Sequence, residues 1–169
     1  MSGVPDSADR SPRTGAERAA FTTATFLGTG YAPFASGTVA TAAAVPVQLA
    51  LALLPPPPWR AAAQVAALIV VAVLGVITAG IVERRLGVHD PSEVVIDEVA
   101  GYLLTMLLIP PSIVTVACGF VLFRLLDIVK PWPAGAAERI GGGRGIMADD
   151  LVCGLYANLA LHGGIWLLR

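Results

Sequence analysis

The sequence predicts an all-α, multi-span membrane protein: a small bundle with short or re-entrant helices and loops gathered on one face. Two observations carry that prediction. Of 169 residues, 56% are hydrophobic and 14% charged, against about 45–50% and about 25% in an ordinary soluble domain, and the mean hydropathy is +0.74. The charges are also clumped. Stretches 19–59, 61–82, 99–123 and 151–168 hold no Asp, Glu, Lys or Arg, and each reaches the roughly 18–20 residues that a bilayer-spanning helix needs. Disordered, collagenous, coiled-coil and disulfide-scaffold classes are excluded by the same composition.

Residues 1–20 mix both charge signs with Pro, Ser and Gly, and read as a flexible polar tail ahead of a helical membrane domain over 21–169. They lack the compact apolar core of a cleaved signal peptide. A first, marginal span over 39–54 is stopped by the four prolines at 55–58, which cannot continue a helix. The clearest span is 61–82, closed by Glu83, Arg84, Arg85 and the C-terminal signal Gly87. In the third stretch Pro111 forces Pro110 out of helical geometry, so the segment reads as a helical hairpin with arms over 94–109 and 112–128. Arms this short either cross with mismatch or dip in without crossing. The last span is 151–168, with Trp166 as an interfacial anchor.

Five crossings with the N-terminus inside put Arg10, Arg13, Arg18, Arg84, Arg85, Arg124, Lys130, Arg139 and Arg144 in the cytoplasm, and Arg60 and Arg169 outside. That is a clear positive-inside bias, and it sends the search for function to the cytoplasmic face. The net charge of −1 gives no basic excess for nucleic acid. Cys118 and Cys153 lie in apolar stretches, where a lone Cys behaves as a small hydrophobe. His89 and His162 have no metal-ligand spacing and read as an interfacial side chain and a polar packing residue.

Four segments carry chemistry. In HDPSEVVIDEVAGYLL, Asp97 and Glu98 sit within an apolar helix, where a carboxylate near hydrocarbon costs about 2.5–3.5 kcal/mol. Either the pair holds an ion or it complements a helix N-terminus. In FRLLDIVKPWP, Arg124, Asp127 and Lys130 recur at i, i+3 and i+6 on one helix flank. They form either an ion-pair ladder or a phosphate site, with Arg as a bidentate fork and Lys as a point charge. GGGRGIMADDLVCGL reads as a glycine loop carrying Arg144, followed by a helix that begins near Asp149 and Asp150. The earlier loop GTGYAPFASGT offers backbone N–H groups, at Gly28 and Gly37 among others, and the hydroxyls of Thr29, Ser36 and Thr38, but no Lys, so it is not a P-loop. No pattern for a covalent nucleophile appears. Oxygen-rich clusters of this kind favour hard ions, Mg²⁺ above all beside phosphate. A small transporter or channel subunit is the alternative, although its acids should be spread through the membrane depth.

At these residues the chain resembles the phosphatidylglycerophosphatase A family of bacterial lipid phosphatases. The resemblance is carried by Gly28-x-Gly30-x-x-Pro33, Gly37-Thr38, Ile96-Asp97-Glu98-Val99-x-Gly101, Phe123-Arg124-x-x-Asp127-Ile128-x-Lys130-Pro131-Trp132-Pro133 and Asp149-Asp150-x-x-x-Gly154, in that order. Ser36 stands where the family usually has Pro, and Ala40 where Gly is frequent. The resemblance implies a Mg²⁺-dependent hydrolase that converts phosphatidylglycerophosphate to phosphatidylglycerol and inorganic phosphate. Asp97, Glu98, Asp149 and Asp150 are the expected metal ligands. Arg124, Asp127 and Lys130 are the expected catalytic groups, and Gly28, Thr29, Gly37, Thr38 and Arg144 the expected substrate contacts.

Overall fold

The computed structural model describes Pro12, residues 14–55 and residues 58–168. Arg10, Arg13 and Arg169 lie outside the described residues, as does most of the expected tail. Seven α-helices and two 3₁₀ turns make up the described chain, with no strand among those residues.

The polar segment is already helical at Gly15, which corrects the expectation of a tail to residue 20. Thr14 and Glu17 form a capping box that starts α1 (Gly15–Ala24), Thr14 Oγ1 accepting from the Glu17 N–H and Glu17 Oε2 from the Thr14 N–H. A 3₁₀ turn, Thr29–Tyr31, leads to α2 (Ser36–Ala52). Beyond the proline run, α3 (Trp59–Leu86) extends for 28 residues and ends at Gly87 with φ of +66°, a left-handed cap that glycine takes at no steric cost. Among the described residues α3 is the one helix long and apolar enough by itself to cross a membrane.

The proline hairpin is present with unequal arms. α5 (Ile113–Val129) starts on a Ser112–Thr115 capping box, close to the expected boundary. α4 (Ile96–Thr105), expected over 94–109, has only 10 residues. The cause lies in other helices. Asn158 Nδ2 donates to the Thr105 and Leu107 carbonyls at 3.0 and 2.9 Å. Gln48 Nε2 donates to the Met106 carbonyl at 3.4 Å, and Gln64 Oε1 accepts from the Leu108 N–H at 3.3 Å. Three amides thus take up backbone groups that a continuing helix would have paired internally.

After a four-residue α6 (Ala134–Ala137) and a second 3₁₀ turn, α7 (Gly142–Leu167) runs for 26 residues. It begins seven residues before Asp149, so the expected glycine loop is its first two turns. A Cβ on Gly143 would fall on the Val76 carbonyl and within 2.7 Å of the Gly80 nitrogen of α3. These glycines let two helix backbones touch. α7 is the centre of the bundle, packed against α3, α4 and α5. The outward faces are apolar, with Ile69 and Val73 on α3, Ile113, Leu125 and Ile128 on α5 and Leu159 on α7 all exposed. His162, expected to pack, is exposed and bonds to the Asn158 carbonyl of its own helix, whereas exposed His89 lies 2.8 Å from Glu83.

Candidate active site

α4 and α7 run parallel and meet at Gly101 and Gly154, where a Cβ on Gly154 would fall on the Gly101 carbonyl. One turn later Thr105 Oγ1 donates to the Gly101 carbonyl at 2.9 Å and lies 3.4 Å from the Gly154 carbonyl. One turn earlier, at position −4 on each helix, stand Asp97 and Asp150. The shared register therefore delivers both carboxyl groups to the same level, since positions four apart lie on one helix face. Asp97, Glu98 and Asp150 each bring a carboxylate oxygen within 4.8 Å of the other two.

The trio forms one wall of a cavity of about 300 Å³. Facing it are Arg124 and Asp127 on α5, Lys130 at the end of that helix, and Asp149 beside Asp150. Lys130 Nζ donates to Asp149 Oδ2 at 2.7 Å. Arg124 Nη1 lies 2.6 Å from Asp127 Oδ2 and 3.8 Å from Glu98 Oε1. The closer contact is an ion pair and not an aligned hydrogen bond, so Arg124 Nη1 and Nε keep N–H groups to donate. Asp97 Oδ1, Glu98 Oε2, Asp149 Oδ1 and Asp150 Oδ2 are likewise buried without a hydrogen-bond partner. Six carboxyl groups, counting Asp90, line the cavity against two cations. Burying that many acids without compensation is strongly unfavourable, and oxygen ligands with unspent lone pairs suit a hard cation.

The local backbone is shaped for this arrangement. Ala35, Asp90 and Lys130, all non-glycine, have φ of +47°, +47° and +46°, and all three line the cavity. Left-handed geometry costs such residues of order 1–3 kcal/mol each and clusters at functional sites. Gly37 has a different task, since any Cβ there would fall on Glu98 Oε1 and approach Arg124 Nη1. Ser36 Oγ ties the start of α2 to the Ser92 carbonyl at 2.9 Å.

Eight of the twelve residues singled out from sequence come together here: Gly37, Asp97, Glu98, Arg124, Asp127, Lys130, Asp149 and Asp150. Four do not line the cavity. The Thr29 hydroxyl is spent on the Thr25 and Phe26 carbonyls. Gly28, at φ of +91°, opens the 3₁₀ turn, Thr38 lies in the first turn of α2, and Arg144 is exposed on α7. Gly30 lies against the Glu93 carbonyl, so the Gly-x-Gly loop packs on the segment before α4. Sequence reasoning missed Asp90. Its signal was an Asp before Pro in the polar link between α3 and α4, a residue type that tolerates left-handed backbone.

The family model for phosphatidylglycerophosphatase A matches residues 22–165. A phosphatidylglycerophosphatase A of Escherichia coli is 37% identical over 133 residues, 78% of this chain and 74% of its own. A protein of Bacteroides thetaiotaomicron, whose name proposes a phosphatidylinositol-3-phosphatase, is 34% identical over 150 residues, 85% of this chain and 92% of its own. A phosphatidylglycerophosphatase A of Haemophilus influenzae is 36% identical over 86 residues, 49% of this chain and 53% of its own. No solved structure matches.

Proposed function

Because the chain belongs to the phosphatidylglycerophosphatase A family, and as such removes the terminal phosphate of phosphatidylglycerophosphate, we propose that the cavity between α4, α5 and α7 carries this hydrolysis with Mg²⁺. The observation that supports it most is the Asp97, Glu98 and Asp150 trio, with oxygens within 4.8 Å of one another and an unpartnered buried oxygen on each residue. The donor set fits Mg²⁺, which prefers a few carboxylates together with substrate phosphate. Asp149, paired with Lys130, stands outside the trio, as expected for adjacent helical residues that point about 100° apart. Bound Mg²⁺ would supply Lewis-acid polarisation of the phosphoryl group and offset the excess of acids.

The chain's own groups divide the remaining work. Arg124 donates its unspent N–H groups to the phosphoryl oxygens, and the Asp127 contact fixes its orientation. Lys130 adds a point charge on the same side, anchored by Asp149. Asp127 belongs neither to the trio nor to the Lys130 pair, and we assign it to take the proton of the attacking water. Gly37 leaves the space in which Glu98 and Arg124 approach each other.

The exposed apolar faces support a multi-pass arrangement in the bacterial inner membrane. At 1.5 Å per residue, α3 is about 42 Å long and α2 and α5 about 26 Å each, against a hydrocarbon core of about 30 Å. α4 reaches about 15 Å, and irregular backbone is tolerated beyond it because the amides of Gln48, Gln64 and Asn158 satisfy it. The basic residues around the cavity end support a cytoplasmic orientation of that end. The test is phosphate release by the detergent-solubilised full chain. Activity on phosphatidylglycerophosphate should vanish with EDTA and return with Mg²⁺, and full activity in EDTA overturns the metal assignment.

A further inference from the structure

A second, larger concavity of about 600 Å³ lies between α2 and α5, with Ala42, Val45 and Leu49 on one side and Val116, Phe120 and Val121 on the other. We propose that it holds one fatty-acyl chain of the lipid whose phosphate enters the acidic cavity. This rests on the lipid-phosphatase reading and extends it to the part of the substrate that does not react.

Continuity along the two helices is the first argument. α2 contributes Gly37 to the acidic cavity and then Ala42, Val45 and Leu49 to the groove; α5 contributes Arg124 and Asp127 to the cavity and then Val121, Phe120 and Val116 in the reverse chain direction. Both walls thus lead away from the charged residues together. From Gly37 at the cavity to Leu49 at the far end of the groove the path runs about 18 Å along α2, and the groove itself, from Ala42 to Leu49, takes up about 10 Å of it, within the roughly 15 Å depth of one leaflet of hydrocarbon.

Shape and chemistry are the second argument. α2 packs mainly on α4 and α5 mainly on α7, and α2 and α5 touch each other sparingly, so a gap is left between them. Ala42 and Ala117, both exposed, leave the space open toward the lipid side. The α5 wall is preformed: the Phe120 ring meets Tyr102 edge-on at 6.5 Å, and the Tyr102 hydroxyl donates to the Val116 carbonyl at 3.4 Å. An apolar, preformed groove beside a charged pocket complements an amphiphile with one charged end, and little ordering is left to oppose binding.

The test uses the full chain in phosphatidylglycerol vesicles with a phosphatidylglycerophosphate analogue that carries a diazirine midway along one acyl chain. After irradiation, adducts are mapped by mass spectrometry, and phosphate release from the same lipid is measured in parallel. Adducts should concentrate on the α2 and α5 groove residues, and Ala117→Phe and Ala42→Phe should each lower their yield about tenfold, the scale of a filled apolar subsite. Adducts spread equally over the outward face of α3, at Ile69 and Val73, overturn the proposal. So does a cross-link between two copies of the chain through α2 and α5 with no lipid adduct there. Groove adducts without phosphate release support the groove and count against the phosphatase reading, whereas release with scattered adducts does the reverse.

Discussion

Glu98 and Arg124 approach within 3.8 Å yet respond to substitution in different ways. Glu98→Gln removes a negative charge from the trio, so apparent Mg²⁺ affinity should fall and excess metal should restore part of the rate. Arg124→Lys keeps the charge and loses the planar fork, so kcat should drop about tenfold to a thousandfold, or about 1.4–4 kcal/mol, with no recovery on added metal. Asp127→Asn removes the proton acceptor and leaves the trio intact, so kcat should fall with no recovery on added metal. Steady-state kinetics across a Mg²⁺ titration separate these cases, and wild-type kinetics in both Glu98→Gln and Arg124→Lys would sink the site assignment. These residues were legible because a charge inside an apolar run demands an explanation. Asp90 was not, since a single acid in a polar link has no such contrast around it.

At the level of helices, the rung at Gly101 and Gly154 sets how closely the two acid-bearing walls approach. Gly154→Ala puts a Cβ against the Gly101 backbone, a contact that no side-chain motion relieves, so it should lower stability by about 1–3 kcal/mol. Gly163→Ala is the matched control, with nothing within 4 Å of its Cβ, and it should gain up to about 1 kcal/mol from helix propensity. Thermal unfolding in detergent reads both, and a loss at Gly163 as large as that at Gly154 would refute the rung. The helix pattern was readable for α3 and α5, where apolar runs are bounded by caps, charge or proline. It misled for α7, because glycines that usually open a loop here serve backbone contact with α3. It also misled for α4, because the amides that end it come from α2, α3 and α7.

For the molecule as a whole, the acids and cations of the cavity gather at one end while the flanks of the bundle are apolar. In a chain with Cys118 and Cys153 replaced by Ala, Arg144→Cys in sealed vesicles should react with an impermeant thiol reagent from the cytoplasmic side only, and Arg60→Cys from the other; the reverse pattern overturns the orientation. Those exposed apolar flanks, Ile69 and Val73 on α3 and Leu125 and Ile128 on α5, carry a kinetic consequence. Enzyme and lipid meet while confined to one sheet, so encounter frequency is set by how crowded that sheet is with substrate and not by how much substrate the tube contains. Diluting phosphatidylglycerophosphate with an inert lipid at fixed total amount should slow turnover in proportion to its mole fraction, and adding more vesicles of the same composition should not restore it.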